Sequence, residues 1–139
     1  MMRISQRLDY ALQATVFLAS LNPGEHIPAG TLAQRLSLPR RFVEQQVTAL
    51  ARAGIIDSRR GSSGGAALSR PASDISVLDV VEALEDVVLD VPRQADSAVA
   101  QMWLGAADSV RDYFGSVSIE QLHDRQREIQ AGASPMYHI

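Results

Sequence analysis

The chain contains no cysteine and no lysine; all 13 of its basic residues are arginine. Without thiols it can form no disulfide, no thiolate zinc site, no cysteine nucleophile and no cysteine-ligated iron–sulfur cluster. Without an ε-amine it has no phosphate-loop lysine, no Schiff-base lysine and no kinase-type ATP lysine. A long apolar run is also missing. The N-terminal stretch from Met1 to Glu25 is interrupted by Arg7, Asp9 and Gln13. It reads as neither a signal peptide nor a membrane span, and the protein is expected to be cytoplasmic.

The 139 residues suit one domain, or one domain with an appended dimerisation element. Hydrophobic residues make up 46% and charged residues 21%, a balance that supports a packed core rather than disorder. The formal net charge of −3 hides an asymmetry. Residues 1–71 carry nine arginines against four acids, whereas residues 72–139 carry four arginines against twelve acids. The basic half can face phosphate while the acidic half points away; an uneven scatter of solvated charge is the plainer alternative.

Apolar spacing along the first segment (Leu8, Leu12, Thr15 or Val16, and Leu18 or Ala19) predicts a helix with Ser5 as N-cap and a stop at Asn22-Pro23-Gly24. His26-Ile27-Pro28 suits an edge strand. Gly30 to Leu36 makes about two helical turns, and after Ser37-Leu38 the proline at 39 suits the first turn of a new helix to about Ala53. That helix has two faces: Val43, Val47, Leu50 and Gly54 on one, and Arg41, Glu44, Gln45, Thr48 and Arg52 on the other. A short helix, a tight turn and a second helix with a long-reaching polar face make a helix-turn-helix, whose second helix is the candidate for a major groove. The polar face alone would also fit a merely solvated surface. Arg40-Arg41 at its N-terminal end, where the helix dipole favours phosphate, tips the reading towards DNA.

Ile55 to Arg60 then alternates like a strand, Gly61-Ser62-Ser63-Gly64-Gly65 is a turn, and Ala66 to Ser69 returns as a second strand. A hairpin directly behind a helix-turn-helix is a wing. Arg59 and Arg60 entering a tip of small residues suit backbone and minor-groove contact. The glycine-rich turn is no nucleotide cradle, since neither Lys-Ser/Thr nor a helix follows it.

Ser76-Val77-Leu78-Asp79 is a capping-box pattern opening a helix to about Asp86, and residues 87–94 read as a linker loop. From Asp96 a longer helix to about Phe114 carries Val99, Met102, Trp103, Ala106, Val110, Tyr113 and Phe114 at steps of three and four. Trp103 reads as core or dimer interface rather than a ligand platform. Ser118 to Gln121 caps a last helix to about Gln130, and residues 131–139 are expected to form a loose tail. Glu120-x-x-His123 resembles half of a carboxylate-bridged metal site, but no second half exists. No Ser-His-Asp set, paired-carboxylate cleft or HExxH motif is present, so no enzyme and no metal site are expected.

The fold expected is therefore mainly α with a small β-hairpin wing: a winged helix-turn-helix head (1–86), the linker (87–94), dimerisation helices (95–130) and a tail (131–139). The order of these motifs resembles the Rrf-two family of bacterial transcriptional regulators over roughly residues 2–130. Its carriers are Met2 to Ser5 with Tyr10-Ala11-Leu12, Phe42 to Gln45, Ala53 to Ile56, Arg60 to Gly65, Leu68 to Pro71, Ile75 to Ala83, and Trp103. The resemblance implies a homodimer crossing its long C-terminal helices and setting two winged heads on a palindromic operator, as a repressor. It implies base-edge contacts from Glu44, Arg40 and Arg41, with Pro39 and Gln45 beside them. Arg60, Gly61, Ser62 and Ser63, with Arg59, would enter the minor groove, and Arg3, Ser5 and Thr31 would touch backbone. The long-helix apolar positions would form the dimer interface. Cluster-binding members carry three cysteines before the long helix; none stands here, which places the chain in a cluster-free branch. Its signal is then an unidentified small molecule lodged between the heads and the long helices, a protein partner, or nothing at all. A winged-helix interaction module that no longer binds DNA is the alternative reading.

Overall fold

The computed structural model describes residues 4–91 and 94–132. Met1 to Arg3, Pro92, Arg93 and residues 133–139 lie outside them, so the backbone contact expected of Arg3 and most of the expected loose tail fall outside the described residues; Ala131 and Gly132, expected in that tail, still belong to the last helix.

Helix α1 (Gln6–Leu18) starts where the Ser5 hydroxyl accepts from the Leu8 amide, satisfying one of the orphan donors of a helix start. It buries Leu8, Ala11, Ala14, Thr15 and Leu18, a stripe at steps of three and four. Thr15 is tolerated there because its hydroxyl donates to the Ala11 carbonyl at 2.7 Å. α2 (Ala29–Leu36) ends at Ser37, which takes a left-handed φ of 55°. Pro39 then stands one position outside α3 (Arg40–Arg52), as its N-cap, where its missing amide costs nothing. Val43, Val47 and Leu50 turn inward with Gln46, and Leu32 of α2 and Leu50 meet in the core with no exposed surface. Tyr10 and Phe42 meet edge to face at 5.4 Å, joining α1 to the first turn of α3.

The wing is two antiparallel strands, β1 (Ile56–Arg59) and β2 (Gly65–Leu68), with Ile56 opposite Leu68, Asp57 opposite Ala67 and Arg59 opposite Gly65. Each departs by a residue or two from what its alternation suggested, because Ile55 is already drawn into the core and Arg60 into the turn. The edge segment at His26-Ile27-Pro28 joins as a single bridge, Ile27 to Ala66. Gly65 makes this approach possible: its φ is +139°, and a Cβ there would lie 2.3 Å from the Ile27 carbonyl carbon. Beside the bridge, the His26 Nε2 donates to Asp57 Oδ2 at 3.0 Å, and the same oxygen accepts from Arg59 Nε at 3.2 Å.

A 3₁₀ turn (Ala72–Asp74) leads to α4 (Val77–Ala83), opened by the expected capping box between Ser76 and Asp79. α4 stops at Ala83, three residues short of the expected end; the Arg7 guanidinium donates to the Leu84 carbonyl at 2.8 Å and closes it. α5 (Ala98–Ser116) begins two residues later than expected, where the Ser97 hydroxyl accepts from the Ala100 amide as its cap. α6 (Ile119–Gly132) starts at the second expected box, with Ser118 and Gln121 exchanging hydrogen bonds. Its first residue, Ile119, is fully buried in the head's own core, and its amide donates to the Ile75 carbonyl at 2.8 Å. The C-terminal helices are thus pinned to the head at the start of α6.

Two outcomes follow. Gly65→Ala should lower the unfolding free energy by about 1–3 kcal/mol in chemical denaturation, since strained backbone and a clash coincide; a change inside experimental error would contradict the wing geometry. The hydrogen bond from His26 is the main reason the Asp57 carboxyl lies below its ordinary pKa of 3.8; desolvation opposes it and the Arg59 charge reinforces it. A lowered carboxylate pKa contributes stability above the ordinary value that is lost as pH falls through the lowered one, so the contact should open only below pH 3.8. Carbon-detected carboxyl titration should show an Asp57 midpoint below that value, rising in His26→Ala; a midpoint indifferent to His26 would contradict it.

Candidate nucleic-acid interface

Because α3 spends its apolar stripe on the core, its opposite side is left to solvent. Arg41, Glu44, Gln45, Thr48 and Arg52 line one shallow, open hollow along that side. The hollow is lined by polar and charged residues and is too flat to enclose a small substrate; its breadth suits a groove edge rather than a ligand. The two arginines at the helix start differ. Arg40 Nε donates to Glu44 Oε1 at 2.8 Å, and its guanidinium lies against Gly30 of α2, where a Cβ would come within 3.2 Å of Arg40 Cζ. Arg41 is exposed and makes no ion pair among the described residues. The Thr48 hydroxyl donates to the Glu44 carbonyl, so as a donor it is already spent.

Neither α2 nor α3 carries a side-chain cap, since Pro28 and Pro39 occupy the N-cap positions. Their first amides therefore point outward unclaimed by side chains, the arrangement that receives phosphate oxygens. Half-buried Thr31 sits in the first turn of α2. On the wing, Arg60, Gly61, Ser62 and Ser63 are all exposed, and the Gly64 amide closes the turn onto the Gly61 carbonyl at 3.0 Å. Gly61, at φ +103° with open space beside it, keeps the tip narrow. Arg59 and Arg60 thus stand on the exposed part of the hairpin that follows α3.

Ser5 is placed differently. Its hydroxyl caps α1 and donates to Asp86 at 2.6 Å, so the one proton it could offer a phosphate is already given within the fold. Its carboxylate partner lies just after α4, and Arg7 approaches the same group at 3.9 Å.

The seven apolar positions of α5 divide between two directions. Val99, Met102, Trp103 and Tyr113 are 63%, 52%, 44% and 66% exposed, and half-buried Ala106 and Val110 complete one face. Phe114 turns instead onto the core of its own head. With Val110 it also lines a cavity of about 190 Å³ that includes Leu78 and Val81 of α4 and Val87 to Leu89 of the linker.

Three features escaped the sequence reading: the Gly30 seat under Arg40, the Ser5–Asp86 bond and the His26–Asp57–Arg59 chain. The first depends on how closely α2 packs on α3 and the second joins residues 81 positions apart, so neither leaves a local signal. The third was accessible, since bridging Ile27 to Ala66 puts residues 26, 67 and 57 in one row.

A sequence profile described as "Iron-dependent Transcriptional regulator", that of the Rrf-two family, matches residues 4–125. The HTH-type transcriptional regulator CymR of Bacillus subtilis is 28% identical over 123 residues, covering 87% of this chain and 89% of its own length. Its solved structure superposes with a TM-score of 0.78 over 90% of this chain and 98% of that one, at 28% identity. T. potens IscR superposes with a TM-score of 0.81 at 26% identity, over 98% of this chain and 96% of that one. Staphylococcus aureus CymR is 30% identical over 86% of this chain and 96% of that one, with a TM-score of 0.73.

The iron in the family's description does not fit the donors of this chain. It has no cysteine, and among the described residues no group of three or more His, Asp or Glu could hold a metal ion. His26 is committed to Asp57, and His123 lies beside Asp124 alone. A helix-turn-helix with an outward polar recognition helix, an arginine-bearing wing behind it and a match running almost end to end converge on one assignment. The chain belongs to the Rrf-two family of winged helix-turn-helix, DNA-binding transcriptional regulators.

Proposed function

We propose that this regulator acts in the cytoplasm as a homodimeric repressor, setting two heads on the half-sites of a palindromic operator. The observation that carries the reading is the shared exposure of α3's polar face and the arginine-bearing wing tip, next to two helix starts with unclaimed amides. Arg41, unpaired among the described residues, extends to a base edge or phosphate; a guanidinium suits guanine O6 and N7. Glu44, steadied by Arg40, accepts from a cytosine amine and repels sequences that present an acceptor there. Gln45 lies beside it. Arg60 and the tip from Gly61 to Ser63 reach into the minor groove, with Arg59 on the flanking phosphate. Thr31 and the α2 amides position the head on the backbone.

The exposed apolar face of α5 is the dimer contact. Four large side chains exposed on one helix face, Trp103 among them, make a patch that a second copy covers through a two-fold axis. A small-molecule effector, where one acts, has its place in the cavity between α4 and α5. Asp86 on that cavity's wall holds Ser5 at the start of α1, which connects its occupancy to the head.

On a duplex carrying the palindrome upstream of its own gene, Arg41→Ala and Arg60→Ala should each weaken binding by about 1–3 kcal/mol. The salt slope should fall by about one unit for every phosphate left without its arginine. Native affinity in both variants would overturn the assigned DNA face. Trp103→Glu should shift the protein from dimer to monomer in sedimentation at micromolar concentration, while the helical circular dichroism of the head persists. A dimer as tight as the native one would remove α5 from the interface.

A further inference from the structure

The wing carries a device that neither the family nor the DNA reading accounts for. With Ile27 bridged to Ala66, and Ala66 and Ala67 on β2 opposite Ser58 and Asp57 on β1, His26, Ala67 and Asp57 fall in one row across the two strands and the bridged segment. Ile27, Ala66 and Ile56 are buried, so their neighbours in this row face the other way. Ala67 in the middle is small. Its methyl leaves the His26 ring free to pass over β2 and reach the Asp57 carboxylate on β1 at 3.0 Å. Its other nitrogen, Nδ1, lies 3.2 Å from the Gly24 carbonyl, and its side chain is only 6% exposed.

Asp57 and Arg59, two residues apart on the same strand, share a face. Asp57 Oδ2 takes the Arg59 guanidinium by Nε, at 3.2 Å. Both terminal nitrogens of Arg59 are left without a partner among the described residues, and the side chain is 67% exposed. An arginine gripped by Nε loses rotamer freedom while its terminal fork, the part that matches a phosphate, stays available. The acid that grips it would otherwise swing freely and repel the same phosphate; the His26 bond keeps it turned along the sheet.

We propose that His26 is a positioning residue for DNA binding, holding Asp57 so that Arg59 presents its two terminal nitrogens to a backbone phosphate. This rests on the wing lying against DNA. Bound phosphate then meets an arginine already oriented, and the effect is independent of base sequence.

The test uses the full chain and a duplex of arbitrary sequence, with affinity followed by fluorescence anisotropy across a salt series. Arg59→Ala should weaken binding roughly fivefold, the scale of one exposed charged contact, and reduce the salt slope by about one unit. His26→Ala should lose a comparable factor with its thermal midpoint recorded alongside, and the double variant should bind no worse than Arg59→Ala alone. His26→Gln, which keeps an N–H donor at similar reach, should retain most of the native affinity and guards against a folding defect in the alanine variant. The proposal is overturned if His26→Ala leaves affinity unchanged, weakens binding equally when Arg59 is already absent, or is matched by His26→Gln. Unchanged binding by Arg59→Ala itself would instead sink the placement of the wing on DNA.

Discussion

The orientation of α3 is the constraint on which the rest of the molecule depends. Val43, Val47 and Leu50 are driven against Leu32, Leu8 and the base of the wing because together they form one buried cluster. Burying a side chain of this size is worth roughly 1.5–3 kcal/mol, so rolling α3 about its axis would forfeit several such contributions at once. With that stripe fixed inward, helical geometry leaves Arg41, Glu44, Gln45 and Thr48 no direction but outward. The interface is set by the core rather than by any interaction among its own residues. Such a face stays presented whether or not DNA is there, and binding need not first order it.

The charges follow the same division. On the head, Arg41 and Arg60 stand free of ion pairs among the described residues, while Arg40 and Arg59 are held by acids through Nε and keep their terminal nitrogens outward. Four others are spent on structure: Arg7 closes α4, Arg70 reaches Asp79, Arg111 pairs with Glu82 and Arg125 with Glu128. A protein with a net charge of −3 can therefore still offer a positive surface where it is needed, with its acids concentrated in the half that carries the C-terminal helices.

Much of this was legible in the chain because its signals are local. The boxes at Ser76 and Ser118, the cap at Ser5 and the two faces of α3 are each written within a few helical turns, and the structure contains them all. Helix ends were read less well, since they depend on distant groups: α4 stops where Arg7, from another helix, takes the Leu84 carbonyl. Periodicity likewise put Phe114 in one stripe with Trp103. The stripe is wide enough for its edge to face α4 instead, and only packing reveals which neighbour claims it. Ser5 illustrates the same limit. Its cap was visible, whereas its bond to Asp86 joins residues 81 positions apart.

The central claim, that one contiguous side of the head made of α3, the α2 start and the wing tip receives duplex DNA, is tested most directly by amide chemical-shift mapping of the isotope-labelled protein during titration with its operator. The account predicts shifts concentrated at residues 29–31, 40–52 and 59–63, with the exposed faces of α5 and α6 silent. Shifts centred on α5 and α6, or spread evenly over the molecule, would contradict it.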